Sequence, residues 1–233
     1  MTRAACGLLF TFCLSSHAVA HSDAPVVIES LDTQIEKNDK DPLLYLQRAE
    51  MNRVERHYDA AAEDYEQAAK LGLGDDVRPF RAQMYLDAGE PEAALAELDP
   101  FLKKNPDNGV ALKVAANAYG ALEQCEAAAK TMEHSLETLP GASADHYLAL
   151  MNWQECAGDT VAALNAADAG LERLGVQLAI VYKAIDLAQA GHDYERALGY
   201  LDRLPAAVAQ QTQWQTRRSE LECAAGRCEE SAD

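Results

Sequence analysis

Basic residues are scarce in this chain: 20 lysines and arginines stand against 38 aspartates and glutamates, a formal net charge of −18. That balance argues against a surface built to grip nucleic acid, whose phosphates demand cations, and it disfavours attachment to anionic lipid. Aromatic residues make up only 6% of the 233, while apolar residues as a group reach 48%. A chain poor in large flat side chains and rich in alanine suits helices whose axes approach closely. No apolar run reaches the roughly 20 residues that a helix needs to cross a bilayer, so no integral membrane segment is expected. Catalytic signatures are missing too: there is no nucleotide-binding glycine loop, no G-x-S-x-G and no H-E-x-x-H. Carboxylates are plentiful, as on any helical surface, so neighbours such as Glu63 and Asp64 carry no catalytic signal. Neither an enzyme nor a cofactor is expected, and no metal site is assigned.

The first residues, MTRAACGLLFTFCLSSHAVAHSD, hold one cation (Arg3), an apolar run from about Ala4 to Leu14, and a polar stretch ending in Ala18-Val19-Ala20. This is the layout of a secretory signal peptide over residues 1–20. A lipid anchor needs a leucine and small residues before its cysteine, whereas Cys13 follows Phe10-Thr11-Phe12. The expectation is therefore a periplasmic or secreted protein that is not lipid-anchored and begins at His21. A histidine exposed at a new N-terminus binds copper when further ligands are held beside it. HSDAP reads as a tail, so metal handling through His21 is a minor alternative. His57 and His192 are expected at solvated turns.

Internal repetition organises the rest. Between residues 77–108 and 110–141, Ala82 matches Ala116, Tyr85 matches Tyr119, Ala94 matches Ala128 and Pro106 matches Pro140, each 34 residues apart. Upstream, Ala49 and Ala61 lie 33 residues before Ala82 and Ala94; downstream, Ala163 follows Ala128 by 35 and Ala197 follows Ala163 by 34. Five units are clear and a sixth begins near Gln211. Each unit carries two helical stretches with apolar positions three and four apart. Gly89, Gly158, Gly191 and Gly226 stand before the second stretch, where a left-handed backbone ends the first helix. Neither helix of such a pair buries its apolar face alone, so the units are expected to stack and share a core.

A helix–turn–helix unit of 34 residues with Ala, Tyr, Ala and a closing Pro in this order resembles the tetratricopeptide repeat. The resemblance covers residues 42–208 and implies an all-α, right-handed solenoid of about five to six units. Residues 21–41 would form a tail and capping helix, with an amphipathic stretch at 25–42, and residues 209–233 a partial repeat or cap. Three departures are expected to matter. Pro100 should kink or shorten the second helix of its unit, Glu123 stands where other units have glycine, and Pro205 should cut the fifth unit short.

Four cysteines remain after residue 20: Cys125, Cys156, Cys223 and Cys228. An even number in an exported chain favours disulfides. In a stack of this kind the turns of adjacent units align along one edge, which implies the pairs Cys125–Cys156 and Cys223–Cys228, with free thiols as the alternative. The C-x4-C spacing lacks a second ligand pair for zinc, and no C-x-x-C redox motif is present.

The resemblance further implies that first helices line a concave groove that binds another protein or a peptide. In the first two units the matching positions are Leu46, Glu50, Arg53, Gln83, Leu86 and Asp87. Units three to five add Lys113, Asn117, Asn152, Glu155, Tyr182, Lys183 and Asp186. Lys113 and Asn117 resemble part of the clamp by which some family members hold a peptide's C-terminal carboxylate. The asparagine expected one unit later is Ala149 instead, with Asn152 one turn on. A non-enzymatic binding scaffold is thus expected; the alternative is a structural subunit or spacer of an envelope or secretion complex.

Overall fold

A computed structural model describes residues 24–228; the expected signal peptide and His21 lie outside them. The described chain is helical and contains no strand. Helix α1 (Ala24–Lys37) precedes five pairs: α2 (Pro42–Val54) with α3 (Tyr58–Ala68), α4 (Arg78–Asp87) with α5 (Pro91–Lys104), α6 (Gly109–Ala121) with α7 (Cys125–Thr138), α8 (Ala144–Cys156) with α9 (Thr160–Leu174), and α10 (Leu178–Ala190) with α11 (Tyr194–Asp202). A short helix α12 (Ala206–Ala209) and a final α13 (Thr212–Ala224) follow. The helices of each pair pack on one another and each pair packs on the next, so the chain forms an all-α solenoid of tetratricopeptide-like units.

The repeated alanines mark the helix crossings. Ala49, Ala61, Ala82, Ala94, Ala116, Ala128, Ala163 and Ala197 have no solvent exposure. Glycine permits still closer approach at Gly109, where an added Cβ would fall 2.6 Å from the Leu139 backbone nitrogen. The Ser135 hydroxyl donates to the Gly109 carbonyl at 2.7 Å, fastening the start of α6 to the end of α7.

Every pair turns through a left-handed residue two positions before its second helix: Arg56, Gly89, Glu123, Gly158 and His192, with Gly226 continuing the series after α13. Gly191 itself sits at φ −79°, and His192 takes the left-handed position at φ 60°. The expected glycine was thus misplaced by one residue. Glu123 adopts φ 58° without being glycine. Pro100 does not shorten its helix, since α5 runs on to Lys104. Its missing N–H would have bonded Ala96, which is exposed and meets water, while buried Leu98 and Phe101 hold the helix on either side. Pro205 ends α11 after nine residues, as expected.

The two ends differ in how they are closed. Amphipathic α1 buries Leu31 and Ile35, and Arg48 ties it to the first pair by donating to Asp32 at 2.6 Å and to Asp64 at 2.7 and 2.9 Å. Helix α13 buries only Leu221 outright and shows solvent a largely polar face, as a terminal unit must.

Candidate functional site

Helices α2, α4 and α6, each the first of its pair, line a groove of about 740 Å³. Its walls include Glu50 and Arg53 from α2, Phe80 and Gln83 from α4, and Val110, Lys113 and Asn117 from α6. Five residues singled out from the sequence therefore meet there: Glu50, Arg53, Gln83, Lys113 and Asn117. Leu46 lies beside them in an apolar dimple of about 370 Å³, shared with Val27, Leu31, Met51 and Phe80.

The polar wall is prearranged. Glu50 accepts a hydrogen bond from the Tyr65 hydroxyl and pairs with Arg53 at 3.0 Å; Arg53 also pairs with Asp87, which accepts from Gln83 at 2.7 Å. Burial opposes the Arg53 charge, but the hydrogen bonds and charges of Glu50 and Asp87 outweigh it and hold the pKa above the ordinary range. Burial first, and Glu50 second, raises the Tyr65 phenol. Lys113 is half-buried and forms no ion pair among the described residues. Its charge, after burial, helps hold His146 below the usual imidazole value, so its field extends toward α8.

Apolar side chains stand beside these polar ones on α4 and α6. Phe80 is 38% exposed and Val110 46% exposed, both on the groove. Neither was singled out from the sequence, although a signal was there. Phe80 lies three residues before Gln83 and Val110 three before Lys113, one helical turn away on the same face. Asp76 and Asn108, further groove residues, come from the segments preceding α4 and α6.

The remaining expected residues do not join this groove. Leu86 packs partly buried against the cluster around Phe101, and Asp87 stays at the edge as the partner of Arg53. Asn152 is exposed on α8, while Glu155 pairs with Lys183. Tyr182 stacks on Trp214 of α13 with ring centroids 4.6 Å apart, and Asp186 pairs with Arg217 at 2.5 Å. The last helix thus occupies Tyr182 and Asp186 of unit five, Lys183 is taken up by Glu155 of unit four, and the groove described above belongs to units one to three.

Cys125 and Cys156 face each other across the α6–α7 and α8–α9 turns at disulfide distance, with Cα atoms 5.8 Å apart. Cys223 and Cys228 flank the final left-handed turn with Cα atoms 4.2 Å apart.

Stacked helix pairs, alanine crossings and a first-helix groove define a tetratricopeptide-like solenoid. Solved structures of that class share its fold. PilW, a widely conserved type IV pilus biogenesis factor, superposes with a TM-score of 0.65 at 20% identity over 84% of this chain and 90% of its own. Pseudomonas aeruginosa PilF gives 0.62 at 15% identity over 85% and 90%. YrrB, a TPR protein with an unusual peptide-binding site, gives 0.59 at 18% identity over 83% and 99%. No family model matches the chain, and no curated protein matches it in sequence. Among the described residues no helix is long and apolar enough to cross a membrane, and no group of three or more histidines, cysteines and acids is placed to hold a metal ion.

Proposed function

We propose that this protein is a non-enzymatic scaffold that binds a peptide or an extended segment of another protein in the groove of its first three units. The observation that carries this reading is the composition of the groove: exposed Phe80 on α4 and Val110 on α6, and the half-buried, unpaired Lys113 beside Asn117. A bound segment would place an apolar side chain against Phe80 and an acceptor, such as a carboxylate, against Lys113 and Asn117. Preformed walls reduce the ordering cost of binding.

The layout of residues 1–20 and the even cysteine count support an exported protein with disulfides Cys125–Cys156 and Cys223–Cys228. The likeness in fold to a pilus biogenesis factor agrees with an envelope setting. The test is crosslinking capture from the exported fraction with the chain from His21 onward, run beside a Lys113→Glu/Asn117→Ala variant and a Phe80→Asp variant. A protein captured by the wild type and lost by both variants supports the groove. Equal capture by all three would move the interface to the ends or the opposite face and favour a structural subunit.

A further inference from the structure

Helix α1 does more than close one end of the stack. Its Val27 and buried Leu31 join Leu46 and Met51 of α2 and Phe80 of α4 around the apolar dimple of about 370 Å³. Two polar residues complete the lining. Glu50 has its charge met by Arg53 and accepts from the Tyr65 hydroxyl, and Gln47 is exposed to solvent. Nothing in the dimple therefore calls for a charged ligand. Glu50 and Phe80 also line the first-helix groove, so dimple and groove form one trough from α1 to α6. Along it Val27, 39% exposed, Phe80 and Val110 leave apolar surface open on a chain of net charge −18, the mark of an interaction face.

Charge tells the two ends of the trough apart. Lys113 offers an unmet cation at the α6 end, and exposed Asp76, before α4, forms no ion pair among the described residues. We propose that the dimple holds a large apolar side chain of the same extended segment whose acceptor reaches Lys113, an inference that rests on the groove-binding reading above. Successive first helices touch, with axes about 10 Å apart. The path from the dimple to Lys113 crosses two such spacings, so it spans about six residues of extended chain. Asp76 repels a second acid. The partner therefore carries one apolar anchor and, about six positions away, one carboxylate rather than an acidic run. The terminal helix thereby becomes a specificity element of the groove.

The test is an NMR titration of the isotope-labelled chain from His21 onward, which contains every described helix. The probe is a synthetic peptide with blocked ends that starts in leucine, ends in aspartate about six positions on, and has glycine and serine between. Saturating shifts are expected at Val27 and Leu46 as well as at Lys113 and Asn117. Replacing the leucine by serine should weaken binding about tenfold, as loss of a buried leucine implies, and should erase the Val27 shifts alone. Val27→Asp and Gln47→Trp, both at exposed positions, should each reproduce that loss, the first with a charge and the second by filling the dimple. Shifts at Lys113 and Asn117 without any at Val27, or full binding by both variants, would overturn the proposal and leave the groove reading standing. No shift at either end would overturn both. Val27 shifts that follow protein concentration rather than peptide would give the dimple to a second copy of the chain and overturn it too.

Discussion

At the scale of single residues, stability rests on a few places where size or charge has no slack. Gly109 is one, because any Cβ there meets backbone rather than a side chain that can turn away. Gly109→Ala should cost about 2 kcal/mol in urea unfolding, as overpacking of a close crossing does, and shift the Ser135 contact. Arg48 is another: Asp64, 5% exposed, takes both its strong hydrogen bonds from that guanidinium and a longer one from Asn52 at 3.3 Å. Arg48→Met should cost about 3 kcal/mol, since it strands a buried carboxylate, and should loosen α1, which Arg48 also holds through Asp32. Faster amide exchange over Ala24–Lys37 would report that loosening; unchanged exchange there would show that apolar packing alone retains the helix.

At the scale of the element, the left-handed turn residue is the informative position. Glu123 is exposed and fills a conformation that only glycine adopts freely. Glu123→Gly should raise stability by about 0.5 kcal/mol, the strain relieved being partly offset by the freer unfolded chain, and Glu123→Val should lower it by about 1–2 kcal/mol. Thermal melts ranking glycine above glutamate above valine would bear this out, and any other order would count against it. The same element shows what the sequence reveals. Ala82 and Ala116, or Ala94 and Ala128, are legible because one spacing repeats one contact. Tyr182 on Trp214, or Lys183 with Glu155, is not, because those pairs depend on rotamers and on the distance between successive units, which periodicity leaves open. Five of the expected groove residues converge for the first reason, and those on α8 and α10 do not for the second.

At the scale of the whole molecule, burial of phenols shapes the response to alkali. Burial is the main cause that pushes Tyr200 up to about 12, and Tyr65 is raised for the same reason. Above the ordinary tyrosine value near 10, the unfolded chain releases these protons before the folded one does. Stability should therefore hold up to about pH 9.5, fall as the pH passes 10, and lose the Tyr200 contribution completely only beyond about 12. Tyr200→Phe should flatten the decline, measured by urea midpoints across that range. Reduction should act on the whole stack as well. If Cys125–Cys156 is closed, opening its loop, 31 positions in separation, removes about 3–4 kcal/mol, read as a drop in melting temperature with dithiothreitol that Cys125→Ser reduces to the smaller share of Cys223–Cys228. That cross-link has a mechanical side. A chain pulled from its two ends would transmit load from α6 through the sulfurs to α9, leaving α7 and α8 out of the path. The chain between the two cysteines, which lie 31 positions apart, would stay slack, shortening the fully extended molecule by about 100 Å. Under tension in an assembly, the middle of this rod would be its least extensible part, and the helices on either side would unravel first.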